Sequence, residues 1–105
     1  MATFPFGKYA GQQVMVVWES DSPYCQWFLQ SVTGAKAVEA AKDEIRQFIL
    51  QENRLQSAER ALRDGALCAN DMIRLSEGGV MTPKQGERYM VLLGAALAAG
   101  IVEEE

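Results

Sequence analysis

The sequence predicts an α+β fold, mainly α, in which a short N-terminal β-hairpin packs on a bundle of about four helices. Three observations lead there. Residues 4–18 combine FPFG with QQVMVVW, two runs rich in aromatic and β-branched residues around a glycine-bearing turn. The remainder falls into apolar-periodic segments separated by Gly34, Asp64-Gly65 and Glu77-Gly78-Gly79. At 105 residues with 49% hydrophobic content, the chain can bury one modest core, so residues 1–105 are read as a single domain. Within it, residues 4–50 form a hairpin–helix module and residues 51–105 a helical extension.

The hairpin comes first. Gly7 and Gly11 supply the positive φ a tight connection needs, and Pro5 suits an edge strand. Two strands alone are marginal in water, so the helices must cover them. Ser20-Asp21-Ser22-Pro23 then places an oxygen-bearing cap before a first-turn proline, which predicts a helix from about Ser22 to Gly34. Tyr24, Trp27, Phe28 and Val32 give it an aromatic stripe, and Trp27 is read as core.

A second helix follows from Ala35, with Val38, Ala41, Ile45, Phe48 and Leu55 in helical register. Glu52 and Glu59 fall on the same face, which is costly in an apolar seam. A bend between Gln51 and Ser57, or a protruding and partly buried second half, is expected. A short helix over Ala66–Ser76 carries Leu67, Met72, Ile73 and Leu75. The last has the clearest boundaries: Thr82-Pro83-Lys84-Gln85 joins an N-cap, a first-turn proline and a capping-box glutamine, and Gly100 stands at its end. Gly86, Met90, Gly94 and Leu97 share one face of it. Helical glycine costs about 1 kcal/mol, so this face is expected to admit another backbone, either the Ala35 helix or a second copy of the chain. The Glu103-Glu104-Glu105 tail is read as solvated.

Charge and composition narrow the function. The net charge of −4 arises from interspersed residues, with no basic block for tracking a duplex. Histidine is absent, which removes the commonest general base and most zinc sites. Cys25 and Cys68 lie too far apart for a CxxC motif and are read as reduced and structural. There is no phosphate loop, dinucleotide fingerprint or nucleophile elbow. The reading is a non-enzyme with no cofactor and no metal. No opening segment has a signal-peptide pattern, and the most apolar run, Met90 to Val102, is too short for a bilayer. A cytoplasmic protein with no membrane partner is expected.

The polar candidate is therefore FPFGKYAG. Phe6, Gly7, Lys8, Tyr9 and Gly11, followed by Tyr24, Trp27 and Leu29, resemble the small domain at the C-terminus of exodeoxyribonuclease X-like proteins. The same module is catalogued as a quorum-sensing-regulated virulence factor family. The resemblance covers about residues 4–50. The family's acidic-proline element takes the form Glu19-Ser20-Asp21-Ser22-Pro23 here, and the half beyond Leu55 lies outside it. The resemblance implies a nucleic-acid-associated accessory module without catalysis, and the function read from it is a phage or bacterial binding protein linked to DNA metabolism.

On that reading Gly7, Lys8, Tyr9 and Gly11 meet a nucleic acid weakly, single strands included, or a DNA-processing protein. A cation, backbone N–H groups and a ring on a glycine turn suit a phosphodiester strand. Tyr9, Tyr24 and Trp27 are equally compatible with a purely structural core. The alternative function is a small acidic protein–protein interaction module, an inhibitor or regulator, that forms homodimers through Gly86, Met90, Gly94 and Leu97.

Overall fold

The computed structural model describes residues 2–102. Four helices follow one another: α1, Val14–Ser31; α2, Lys36–Arg63; α3, Ala69–Glu77; and α4, Pro83–Ala98. The fold is all-α, and the expected β-hairpin is not formed. Among the described residues, β pairing is confined to two isolated bridges, Thr3 with Gln13 and Phe4 with Ala10.

The correction has a clear cause. In the apolar run after Gln13, Val14, Val17 and Trp18 are buried while Val16 is half exposed. That is the i, i+3, i+4 spacing of a helix, whereas an alternating strand would bury positions two apart. A run this short carries too few residues to separate the two periods. Packing overrode the β propensity of three valines.

The cap at the end of that run was legible, but it interrupts a helix instead of beginning the first one. Asp21 has non-helical φ/ψ (−151°, 64°) and kinks α1. Its Oδ1 accepts the Tyr24 N–H at 3.3 Å, and Pro23 occupies the new first turn, where a missing N–H is harmless.

The chain forms two compact units, Met1–Ile49 and Leu50–Glu105. In the first, Phe4, Val14, Val17, Cys25, Phe28, Ile45 and Phe48 make the core. Phe28 meets the Phe4 ring edge-on at 5.0 Å, and Trp18 lies 5.9 Å from Phe48. The buried Lys42 ammonium donates to the Val32 carbonyl at 2.9 Å, beyond the end of α1.

In the second unit the core is aliphatic: Leu55, Ala58, Leu67, Met72, Leu75, Leu92 and Ala96. The break anticipated between Gln51 and Ser57 does not occur: α2 is one helix of 28 residues, in which Glu52 and Glu59 are half-buried. It closes through Gly65 N–H to Leu62 O and Ala66 N–H to Ala61 O. α3 starts at Ala69, later than Ala66. Cys68 is its N-cap and is exposed, so only Cys25 fits the buried structural reading. Burial pushes the Cys25 thiol up to about 12, which leaves it protonated and inert.

α4 has the ends its sequence signals. Thr82 Oγ1 accepts the Gln85 N–H at 3.2 Å, and Gln85 Oε1 returns a bond to the Thr82 N–H. Gly100 N–H to Leu97 O and Ile101 N–H to Ala96 O finish it. Among the described residues, no helix is long and apolar enough to cross a membrane. Residues 103–105, the acidic tail of the sequence, lie outside the described residues.

Candidate functional site: the glycine loop and its aromatic face

Residues 4–12 form a closed loop leading into α1. Gly11 N–H donates to Phe4 O at 2.8 Å and Phe4 N–H to Gln12 O at 3.0 Å. Ala10 N–H to Gly7 O and Gln12 N–H to Tyr9 O tighten it from inside. Gly7 and Gly11 have φ of +91° and +79°, which explains why neither carries a side chain. Gly7 is doubly constrained, since a Cβ there would stand 2.8 Å from the Tyr24 hydroxyl. The glycines thus do what the sequence suggests, in a loop without strands.

Phe4 is buried and pins the loop, whereas Phe6 is 49% exposed and only leans toward Phe28 at 6.1 Å between centroids. Trp27 is the larger departure. It is 51% exposed, not core, and packs one side against Tyr24 at 5.5 Å. The inward positions of this segment are Cys25, Phe28 and Val32, a stripe displaced by one residue from Tyr24 and Trp27. Tyr24 joins the two layers: it meets Phe4 edge-on at 5.4 Å, Tyr9 edge-on at 4.8 Å, and Trp27 outside. Rings therefore run continuously from the core to the surface.

Lys8 and Tyr9 stand on this loop, and the kink in α1 brings Asp21 between them. The Tyr9 hydroxyl donates to Asp21 Oδ2 at 2.7 Å, and Lys8 Nζ lies 3.8 Å from the same oxygen. Lys8 also sits 5.2 Å from the centre of the Tyr9 ring. The Tyr9 hydrogen bond, assisted by the Tyr24 N–H and Lys8, holds the Asp21 carboxyl below its ordinary value. The same hydrogen bond raises the Tyr9 phenol. The cluster is locally neutral, although residues 1–18 taken alone carry Lys8 and no acid.

The α4 positions are a separate surface. Gly86 and Gly94 have open space where a Cβ would stand, and Met90 is 62% exposed. This face makes no close packing with α2, so that half of the expectation is not met. Beside it, Val91 is 71% exposed.

Sequence reasoning missed one polar network. Arg88 Nη1 donates to both Glu52 oxygens at 2.8 and 2.9 Å, and its Nη2 and Nε reach Glu59 at 2.6 and 3.2 Å. One guanidinium thus bridges two carboxylates a heptad apart on α2 through four contacts, more than the three N–H groups of an ammonium could supply singly. Burial disfavours the Glu52 charge, but bonds from Arg88, Gln56 and Gln85 outweigh it and hold the carboxyl low. The hydrogen bond to Glu59 leads the causes that raise Arg88 further. The two glutamates in an apolar seam were the signal that a cation must meet them. Which one could not be read across roughly 30 intervening residues.

Among the described residues, no group of histidine, cysteine or acidic side chains is arranged to hold a metal. Comparison with known proteins adds no assignment: no family model, curated protein or solved structure matches this chain.

Proposed function

We propose that this protein is a non-catalytic docking module whose loop face, Phe6 and Trp27 around the Lys8–Tyr9–Asp21 cluster, binds a protein partner. The carrying observation is the half-exposure of two large aromatic rings beside a charge cluster that is already paired. Large rings held by a rigid underlayer are the usual anchors of protein interfaces, and a neutral polar rim suits a partner of either sign. A DNA-processing protein is the partner that the resemblance in residues 4–50 favours.

Nucleic acid is the second reading, because Lys8 and exposed rings are the elements of a stacking platform. Asp21, however, offsets the single cation, and the whole chain is negative. One lysine would give a salt slope of only about −0.7 on a single strand.

The test is capture from source lysate, with and without nuclease, by the parent and by a Phe6→Ser, Trp27→Ser double variant, alongside anisotropy with a labelled oligonucleotide. A protein retained by the parent after nuclease and lost by the variant is the expected outcome. Equal capture by both proteins removes the loop face from the function. Oligonucleotide binding that falls on Lys8→Ala moves the assignment to nucleic acid.

A further inference from the structure

In the second unit, an open groove of about 590 Å³ runs between the C-terminal half of α2 and the middle of α4. Arg60, Leu62 and Arg63 line it from α2, and Arg88, Val91 and Leu92 from α4. Three features give it a chemical preference. Its apolar lining is accessible: Val91 and Leu62 are both exposed, above a buried Leu92. Its cations differ in state, since Arg88 is held by Glu52 and Glu59 while Arg60 and Arg63 have no ion-pair partner among the described residues. Nor does either guanidinium hydrogen-bond a carbonyl of α2 among the described residues.

We infer that this groove is a docking site for an acidic amphipathic helix of a partner protein. The lining residues recur on α2 at Gln56, Arg60 and Arg63, and on α4 at Arg88, Val91 and Leu92, so each wall presents one helical face about two turns or less in length. Apolar side chains of the incoming helix seat on Val91 and Leu62, while its carboxylates meet Arg60 and Arg63. A polyphosphate strand fits less well. It would leave the apolar lining of Val91 and Leu62 uncovered. This site is independent of the loop face in residues 4–27.

The experiment uses the full chain and a fluorescein-labelled helical peptide of about four turns, with leucines at i, i+3, i+4 and i+7 spacing and glutamates elsewhere. Its lysine-for-glutamate counterpart and a labelled single-stranded oligonucleotide serve as competitor classes. Saturable anisotropy with the acidic peptide at low salt is expected, weakened roughly tenfold or more by Arg60→Glu with Arg63→Glu, and separately by Val91→Asp. All three positions are exposed, so unchanged circular-dichroism melts establish that the variants fold. No saturable binding, equal binding of the acidic and basic peptides, or equal binding by parent and variants overturns the inference. Preferential binding of the oligonucleotide overturns it in favour of a nucleic-acid groove.

Discussion

Every aromatic residue of the chain except Tyr89 lies before Ile49, and the first unit is built from their contacts: Phe4, Tyr24 and Phe28 meet edge-on or tilted, and Trp18 rests near Phe48. The second unit has an aliphatic core and directional polar bonds instead. Gln51, fully buried, donates to Leu75 O at 3.3 Å and Gly79 O at 3.1 Å, and Arg88 joins α4 to α2 through two glutamates. Rings fill volume without fixing register, and a glycine loop can lie across them while leaving two rings outside. Short aliphatic helices slide more easily, and a forked guanidinium and a buried carboxamide remove that freedom. The first unit therefore tolerates an exposed aromatic face, while the second concentrates its specificity in a few polar residues.

The largest effect that tests this contrast is in the ring core. Phe28→Ala should cost about 3–5 kcal/mol in chemical denaturation, whereas Trp27→Ala, one position away, should cost about 1 kcal/mol or less. Similar losses for the two would mean that the aromatic face is not exposed. In the second unit, Arg88→Met leaves two carboxylates facing each other in a half-buried seam. Discounted for solvent access, the cost should be about 1–3 kcal/mol. Lys8→Ala, which breaks the ion pair in the first unit, should leave the chemical-denaturation midpoint unchanged, since the Lys8 side chain is 68% exposed.

Acid should erase the Arg88 effect. Glu52 is held below its ordinary value of 4.5 in the folded chain, so its contribution is present above that value and disappears as pH falls through the lowered one. The melting difference between the parent and Arg88→Met should therefore narrow in strong acid, with the parent losing more. A difference that stays constant with pH would show that Arg88 acts by packing alone.

Two glycines of the second unit differ from each other in sign. At Gly78 a Cβ would stand 2.5 Å from Gln51 Oε1, so Gly78→Ala should destabilise by about 1–2 kcal/mol by displacing the buried carboxamide. The smallest effect carries the opposite sign. Gly94→Ala has open space on α4 and should stabilise the monomer by up to about 1 kcal/mol. Sedimentation of the same variant tests the dimer reading of Gly86, Met90, Gly94 and Leu97. If the parent sediments as a dimer and the variant as a monomer, that face is an interface.

By itself, the sequence determined features whose cause is local. The Thr82 cap and its Gln85 partner, the Pro23 first turn, the glycine stops after α2, α3 and α4, and the tight turns at Gly7 and Gly11 all arise from residues within a few positions of one another. Backbone sterics and short-range hydrogen bonds leave such signals little latitude. Of the candidate site, the tight loop and the position of Lys8 and Tyr9 on it were legible to the same depth. Tertiary structure decided the rest. It made Val14–Ser20 a helix, because burial of Val14, Val17 and Trp18 outweighed β propensity. It turned Trp27 outward and Phe28 inward, a choice between neighbouring positions that periodicity alone leaves open. Asp21 joined Lys8 and Tyr9 only through the kink in α1, and Arg88 met Glu52 and Glu59 only through the packing of α4 on α2. Charges and rings far apart in the chain acquire partners only when the helices that carry them are packed.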